Sequence, residues 1–195
     1  MLEPRPLGQT PSQTVGPFFG YALPYPGGPQ VAAPWQPNAI HLHGTVFDGA
    51  GEPVPDAFLE IWHADADGAV ITALGSLDRD GVTVTGFGRA AVNRAGQYSF
   101  STIKPGPMRP EAAPYILITI FARGLTHHLF TRCYFGDEEA RNAGDALLTG
   151  LEADRRATLI GVLDAPQSYR FDIRLQGEGE TVFLDFDAVD PVARG

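Results

Sequence analysis

The chain has 195 residues, enough for one large domain with a core of its own. Its net charge is −9 and its pI about 4.9, so it has no basic excess to neutralise nucleic-acid phosphates or an acidic membrane surface. No apolar run is long enough to span a bilayer, the first residues carry no apolar signal core, and the single cysteine, Cys133, excludes an intrachain disulfide, which together predict a cytoplasmic protein.

Residues 1–38 hold nine of the seventeen prolines, so this stretch is predicted to be an extended arm rather than helix or central strand. It also carries Phe18, Phe19, Tyr21, Tyr25 and Trp35, and disordered tails are poor in aromatics. The arm is therefore expected to be ordered and laid across its own domain or a partner. Residues 39–195 are expected to form one domain. Strands are predicted at 40–47 ("IHLHGTVF"), 57–64, 96–103, 115–122 ("YILITIFA"), 127–135 ("HHLFTRCYF"), 168–177 ("SYRFDIRLQG") and 181–186, with turn clusters such as "DGAGEPVPD" between them. Within 168–177, Phe171, Ile173 and Leu175 alternate with Asp172, Arg174 and Gln176. One helical excursion is predicted over about 137–160, interrupted by Gly144 and Gly150. Many short strands with little helix give an all-β protein, a β-sandwich of mostly antiparallel strands.

Chemistry-bearing residues are few. His41 and His43 lie one residue apart on a predicted strand, so both imidazoles share a face and could reach one metal ion, with His63, His127 or His128 as a third ligand. HxH alone is weak evidence for a metal, because half-exposed strand faces often carry polar residues. His127 and His128 are adjacent and point to opposite faces of a strand. Asp65 and Asp67 in "ADADG" are read as turn residues, because no distal Glu completes a calcium loop. Cys133, Tyr98, Phe100, Phe171 and Phe183 are read as core. Arg132 stands between apolar neighbours on a strand. It calls for a partner, either a local carboxylate such as Asp137 or Glu138 or an anionic ligand.

Three segments, "GTVFDGAGEPVPDAFLEIWHADADG" (44–68), "GFGRAAVNRAGQYSFSTIKPGP" (86–107) and "YRFDIRLQGEGETVFLDF" (169–186), together resemble the intradiol ring-cleaving dioxygenases. The resemblance implies a β-sandwich and an enzyme that opens an aromatic ring between two hydroxylated carbons, using O2 and non-haem Fe(III). In the family, two tyrosines and two histidines hold the iron. Matched motif by motif, the first tyrosine position falls on Val70, eight residues after Trp62, and the second on Met108, after "KPGP". The histidine pair falls on Tyr115 and Leu117. Aliphatic and thioether side chains cannot replace phenolate or imidazole at ferric iron.

The arm segment "TPSQTVGPFF" (10–19) and the closing "DIRLQGEGETVFLDF" resemble the non-iron chain of the family's two-chain members. That likeness implies an obligate heteromer with a homologous β chain that carries Fe(III), several such pairs, and protocatechuate as substrate. It further implies that Thr14, Gly16, Pro17 and Arg132 contribute to the substrate pocket while no metal binds here. Two rival expectations are a dioxygenase with its metal moved to His41 and His43, and a non-enzymatic β-sandwich module.

Overall fold

The computed structural model describes residues 13–16, 18–72 and 79–186. Nine strands are formed among them: β1 (Ala39–Phe47), β2 (Phe58–Trp62), β3 (Phe87–Ala91), β4 (Gln97–Ile103), β5 (Tyr115–Phe121), β6 (Leu129–Phe135), β7 (Ile160–Ala165), β8 (Ser168–Arg170) and β9 (Ile173–Arg174). They run in the order β3-β2-β5-β6-β7-β8-β1-β4, with β9 also paired to β1. The long ladders are antiparallel, and β1–β8, β1–β9 and β6–β7 are parallel. The sheet curls so that its two halves face each other, which is the all-β architecture predicted.

The period-2 pattern explains most of it. On β5, Ile116, Ile118 and Ile120 are fully buried, while Tyr115, Leu117, Thr119 and Phe121 on the other face are half-buried. The inward residues meet Leu42 and Val46 of β1, Leu59 and Ile61 of β2, Phe100 of β4 and Phe135 of β6 in one core. Each such side chain contributes about 1.5–3 kcal/mol by leaving water. Cys133 is wholly buried in this core and its thiol pKa is pushed well up by burial, so it is filler rather than nucleophile. Tyr98, Phe100 and Phe171 lie in the same cluster, with Phe183 packed against it.

Three sequence expectations need correction. The stretch 168–177 is not one strand. β8 pairs with β1 at His41–His43, and β9 resumes pairing only at Val46. Between them the chain closes in on Gly44, where any Cβ would collide with the Phe171 carbonyl, and Asp172 turns its carboxylate to the Thr45 amide. The stretch 181–186 makes only an isolated bridge, Leu184 to Phe130, and is not a strand. His127 and His128 precede β6 and are both exposed, so strand alternation does not apply to them. The helical excursion over about 137–160 is interrupted as expected, into α2 (Glu139–Asn142), α3 (Ala146–Thr149) and α4 (Ala153–Ala157). The breaks fall at Gly144 and Gly150, and Asp145 caps the second piece. These turns cover the outer face of β6 and build a second small core of Ala113, Tyr134, Leu148, Leu159 and Val182.

The arm also has a short helical turn, α1 (Phe19–Ala22). Downstream of it the chain is stitched to its own domain. Gly28 and Leu23 accept hydrogen bonds from Arg89, and Ser101 exchanges backbone bonds with residues 29–32. Val31 and Ala32 are buried, whereas Phe18, Tyr21 and Trp35 are 78%, 87% and 72% exposed.

Candidate functional site

Antiparallel register places Trp62, Leu117 and Arg132 side by side across β2, β5 and β6, and Tyr115 opposite Tyr134. All point away from the main core. Met108, Tyr115 and Arg132 line a cavity of about 240 Å3, closed by Arg109, Glu111 and the segment 144–147. Two of the four positions that the resemblance matches to the family's iron ligands, Met108 and Tyr115, thus share a cavity with Arg132. Leu117 lies one strand over from Arg132, and Val70 is exposed and outside the cavity lining.

The cavity is built around a guanidinium. Arg132 lies over the Tyr115 ring, with Cζ 4.0 Å from its centroid. Its Nη1 donates to the Tyr134 hydroxyl at 3.2 Å, and that hydroxyl donates to Asp145 Oδ1 at 3.3 Å. Burial, opposed by the nearby Arg132 charge, pushes the Tyr134 phenol up to about 12, so it remains a neutral donor near neutral pH. Asp145 is itself buried and held by the amides of Ala113, Leu147 and Leu148. Tyr115 Oη donates to Met108 Sδ at 3.6 Å. Arg132 Nε is buried without a hydrogen-bond partner among the described residues. The carboxylates suggested for Arg132 by sequence are engaged elsewhere: Asp137 and Glu138 both hold Lys104, each at 2.8 Å.

Thr14 and Gly16 are not at this cavity within the chain. The Gly124 amide, on the turn between β5 and β6, donates to Thr14 Oγ1 at 3.2 Å. Gly124 lies seven residues beyond Leu117 on that hairpin, roughly 20 Å at the rise of a strand. Gly16 has φ +76 with open space around it, a backbone that a side chain would strain. Pro17 lies outside the described residues.

The histidine pair occupies a different region. His41 and His43 stack with centroids 4.9 Å apart at 15°, in an open polar groove of about 930 Å3. His43 Nε2 pairs with Asp164 at 3.0 Å. Burial and the neighbouring His43 lower the His41 pKa, partly offset by Asp164. His63, one of the offered third ligands, is buried elsewhere: Nδ1 donates to the Ala64 carbonyl at 2.7 Å and Nε2 accepts from Thr102 at 2.6 Å. Among the described residues, no group of three or more His, Cys, Asp or Glu could hold a metal ion. Asp65 is a turn residue, accepting from the amides of Asp67 and Ala69. No helix among the described residues is long and apolar enough to cross a membrane.

Sequence reading missed Tyr134 and Asp145. Two signals pointed to them: Asp145 just before the apolar run "ALL", and Tyr134 two residues from Arg132 on one strand.

The profile of a dioxygenase family matches residues 36–177, most of the chain. The chain belongs to the intradiol ring-cleavage dioxygenase family. It is 43% identical to the protocatechuate 3,4-dioxygenase alpha chain of Burkholderia cepacia, over 92% of this chain and 98% of that one. It is 30% identical to the beta chain from the same organism, over 77% of this chain and 63% of the relative. The dioxygenase domain of a carbohydrate-binding fusion protein from Streptomyces sp. SirexAA-E superposes with TM-score 0.60 at 25% identity, covering 87% of this chain and 99% of that domain.

Intradiol dioxygenases depend on iron, so the donor set decides whether this chain could hold it. Val70 and Leu117 have no donor atom. Met108 offers a soft thioether already taken up by the Tyr115 hydroxyl. Tyr115 offers one phenol, with the Arg132 guanidinium lying on its ring. One hard donor beside a fixed positive charge does not suit a ferric ion, which needs several anionic oxygen or imidazole ligands. The residues do not fit the metal.

Proposed function

We propose that this chain is the α subunit of a protocatechuate 3,4-dioxygenase and works only with a homologous β chain that carries the Fe(III). The carrying observation is the end-to-end likeness to the Burkholderia cepacia alpha chain, 43% identical over 98% of that relative. The mismatched donor set supports the same assignment. In this reading O2 is inserted between the two hydroxylated carbons of protocatechuate to give 3-carboxy-cis,cis-muconate, and the bond-breaking occurs on the partner.

This chain supplies surroundings. Arg132 is a permanent cation, suited to the substrate carboxylate by charge and by its planar donors. Thr14, Gly16 and Pro17 of the arm contribute backbone and hydroxyl groups to the partner's substrate pocket. The exposed Phe18, Tyr21 and Trp35 are the anchors by which the arm packs on the β chain, burying aromatic area at an obligate interface. Residues 1–38 form that arm and 39–195 the dioxygenase-like domain. The assembly is cytoplasmic and contains several αβ pairs.

The test is to produce this chain alone and together with its β chain, then measure iron content, the visible tyrosinate–iron absorption and oxygen uptake with protocatechuate. Colour and uptake only in the joint preparation are expected. Full activity from the single chain would overturn the assignment.

A further inference from the structure

We propose that Tyr134 and Tyr115, with Asp145 behind them, are positioning residues that fix the Arg132 guanidinium for the substrate carboxylate. The inference rests on the substrate-facing reading of Arg132 given above. An arginine has four rotatable bonds and loses much rotamer freedom when it is held. A pocket that fixes it beforehand removes that cost from binding.

Three contacts do this here. The Tyr134 hydroxyl accepts from Nη1 at 3.2 Å. It can face Nη1 with its lone pairs because its own proton goes to Asp145 at 3.3 Å. Asp145 cannot turn away, since both its oxygens are tied to backbone amides: Oδ1 to Leu147 and Leu148, Oδ2 to Ala113. On the other side the Tyr115 ring lies 4.0 Å from Cζ and stops the guanidinium from tilting. What these contacts leave over is informative. Nε is buried with no protein acceptor among the described residues, an unmet hydrogen bond that packing for stability alone does not explain. Tyr115, at a position that the resemblance matches to a metal ligand, is thereby put to a different use, as a platform for a cation.

The experiment uses the αβ complex. For each variant it measures kcat and KM with protocatechuate and the inhibition constant of catechol, which lacks the carboxylate. Tyr134→Phe removes one hydroxyl and leaves the Asp145 backbone bonds in place. It is expected to raise the KM for protocatechuate roughly three- to ten-fold, the size of one ordinary hydrogen bond, with kcat and catechol inhibition unchanged. Tyr115→Leu is expected to act in the same direction, and Tyr115→Phe, which keeps the ring, to restore the parent KM. On an Arg132→Gln background, Tyr134→Phe is expected to add nothing. If Arg132→Gln raises the KM but Tyr134→Phe and Tyr115→Leu do not, the positioning inference is wrong while the reading of Arg132 stands. If Arg132→Gln itself leaves the KM unmoved, that reading fails and takes the inference with it. An equal weakening of protocatechuate and catechol with a lowered melting temperature overturns positioning in favour of a merely structural role.

Discussion

Two strands of this protein each present a pair of residues at i and i+2 on a half-exposed face, and they make opposite use of it. On β1 the pair is His41 and His43, both good metal donors. On β5 it is Tyr115 and Leu117, the positions that the motif resemblance matches to the family's histidine pair. Yet the histidines look into an open groove and meet one carboxylate, Asp164, whose side chain is a third exposed. Of the β5 pair, Tyr115 lines a cavity that it shares with a guanidinium and a buried aspartate. Donor spacing along one strand is a weak criterion, because a site needs groups converging from several elements. β5 lies between β2 and β6 and is roofed by the turns at 139–149, whereas the β1 face is left open.

The two aspartates behind these pairs give the largest contrast. Asp145→Ala removes a helix cap and strips acceptors from the Ala113 and Leu148 amides and the Tyr134 hydroxyl in a small core. The expected cost is about 2–4 kcal/mol, read as a shifted midpoint in urea unfolding. Asp164→Ala is expected to leave that midpoint within experimental error. A comparable loss from both would mean that the β1 face is a built site after all.

Next in size is a difference in catalysis. Arg132→Ala in the αβ complex is expected to lower kcat/KM for protocatechuate about 10- to 100-fold, the range for losing a charge-assisted contact of about 1.5–3 kcal/mol. His43→Ala should change it less than about two-fold, since a residue in the other groove has no transition-state contact to lose. Steady-state oxygen uptake with both variants settles which face serves the reaction.

Much of this contrast was open to sequence reasoning, and the missing part has a physical reason. Alternation of Ile116, Ile118 and Ile120 against Tyr115, Leu117 and Thr119 is local, so both the strand and its faces could be read directly. Gly144 and Gly150 likewise announced the breaks in the helical excursion. The split between β8 and β9 could not be read, because it is set by Gly44 meeting Phe171, residues far apart in the chain. The Arg132 network was hidden for the same reason. That Tyr115 stands opposite Tyr134 depends on hairpin register, and that Asp145 folds back over β6 depends on packing. Spacing offered Asp137 and Glu138 as partners, but both lie beyond the end of β6 and are taken by Lys104.

His63 belongs to neither face and tests the histidine reading through pH. Burial is the main cause of its lowered pKa, and the Ala64 carbonyl requires the proton to sit on Nδ1 of a neutral ring. The folded state then binds fewer protons than the unfolded state as the pH falls below about 6.5. Stability contributed by a neutral His63 is therefore complete above that value and is lost progressively on acidification. Urea unfolding at pH 7.5 and pH 5.5 should show a decline that His63→Gln reduces. An unaltered decline in the variant would assign the acid sensitivity to other groups.

The smallest expected effect is also the sharpest check on the β1 face. A zinc ion bound by the folded chain at 100 times its Kd would stabilise it by about 2.7 kcal/mol. The stacked His41 and His43 rings turn their faces to each other at 15°, not their lone pairs to a common point, and His43 Nε2 is already committed to Asp164. Zinc added to the isolated chain is therefore expected to leave its melting temperature unmoved, and His43→Ala to make no difference to that result. A zinc-dependent rise abolished by His43→Ala would show that the rings can turn and recruit a ligand from outside the strand. The contrast between β1 and β5 would then be one of occupancy rather than of architecture.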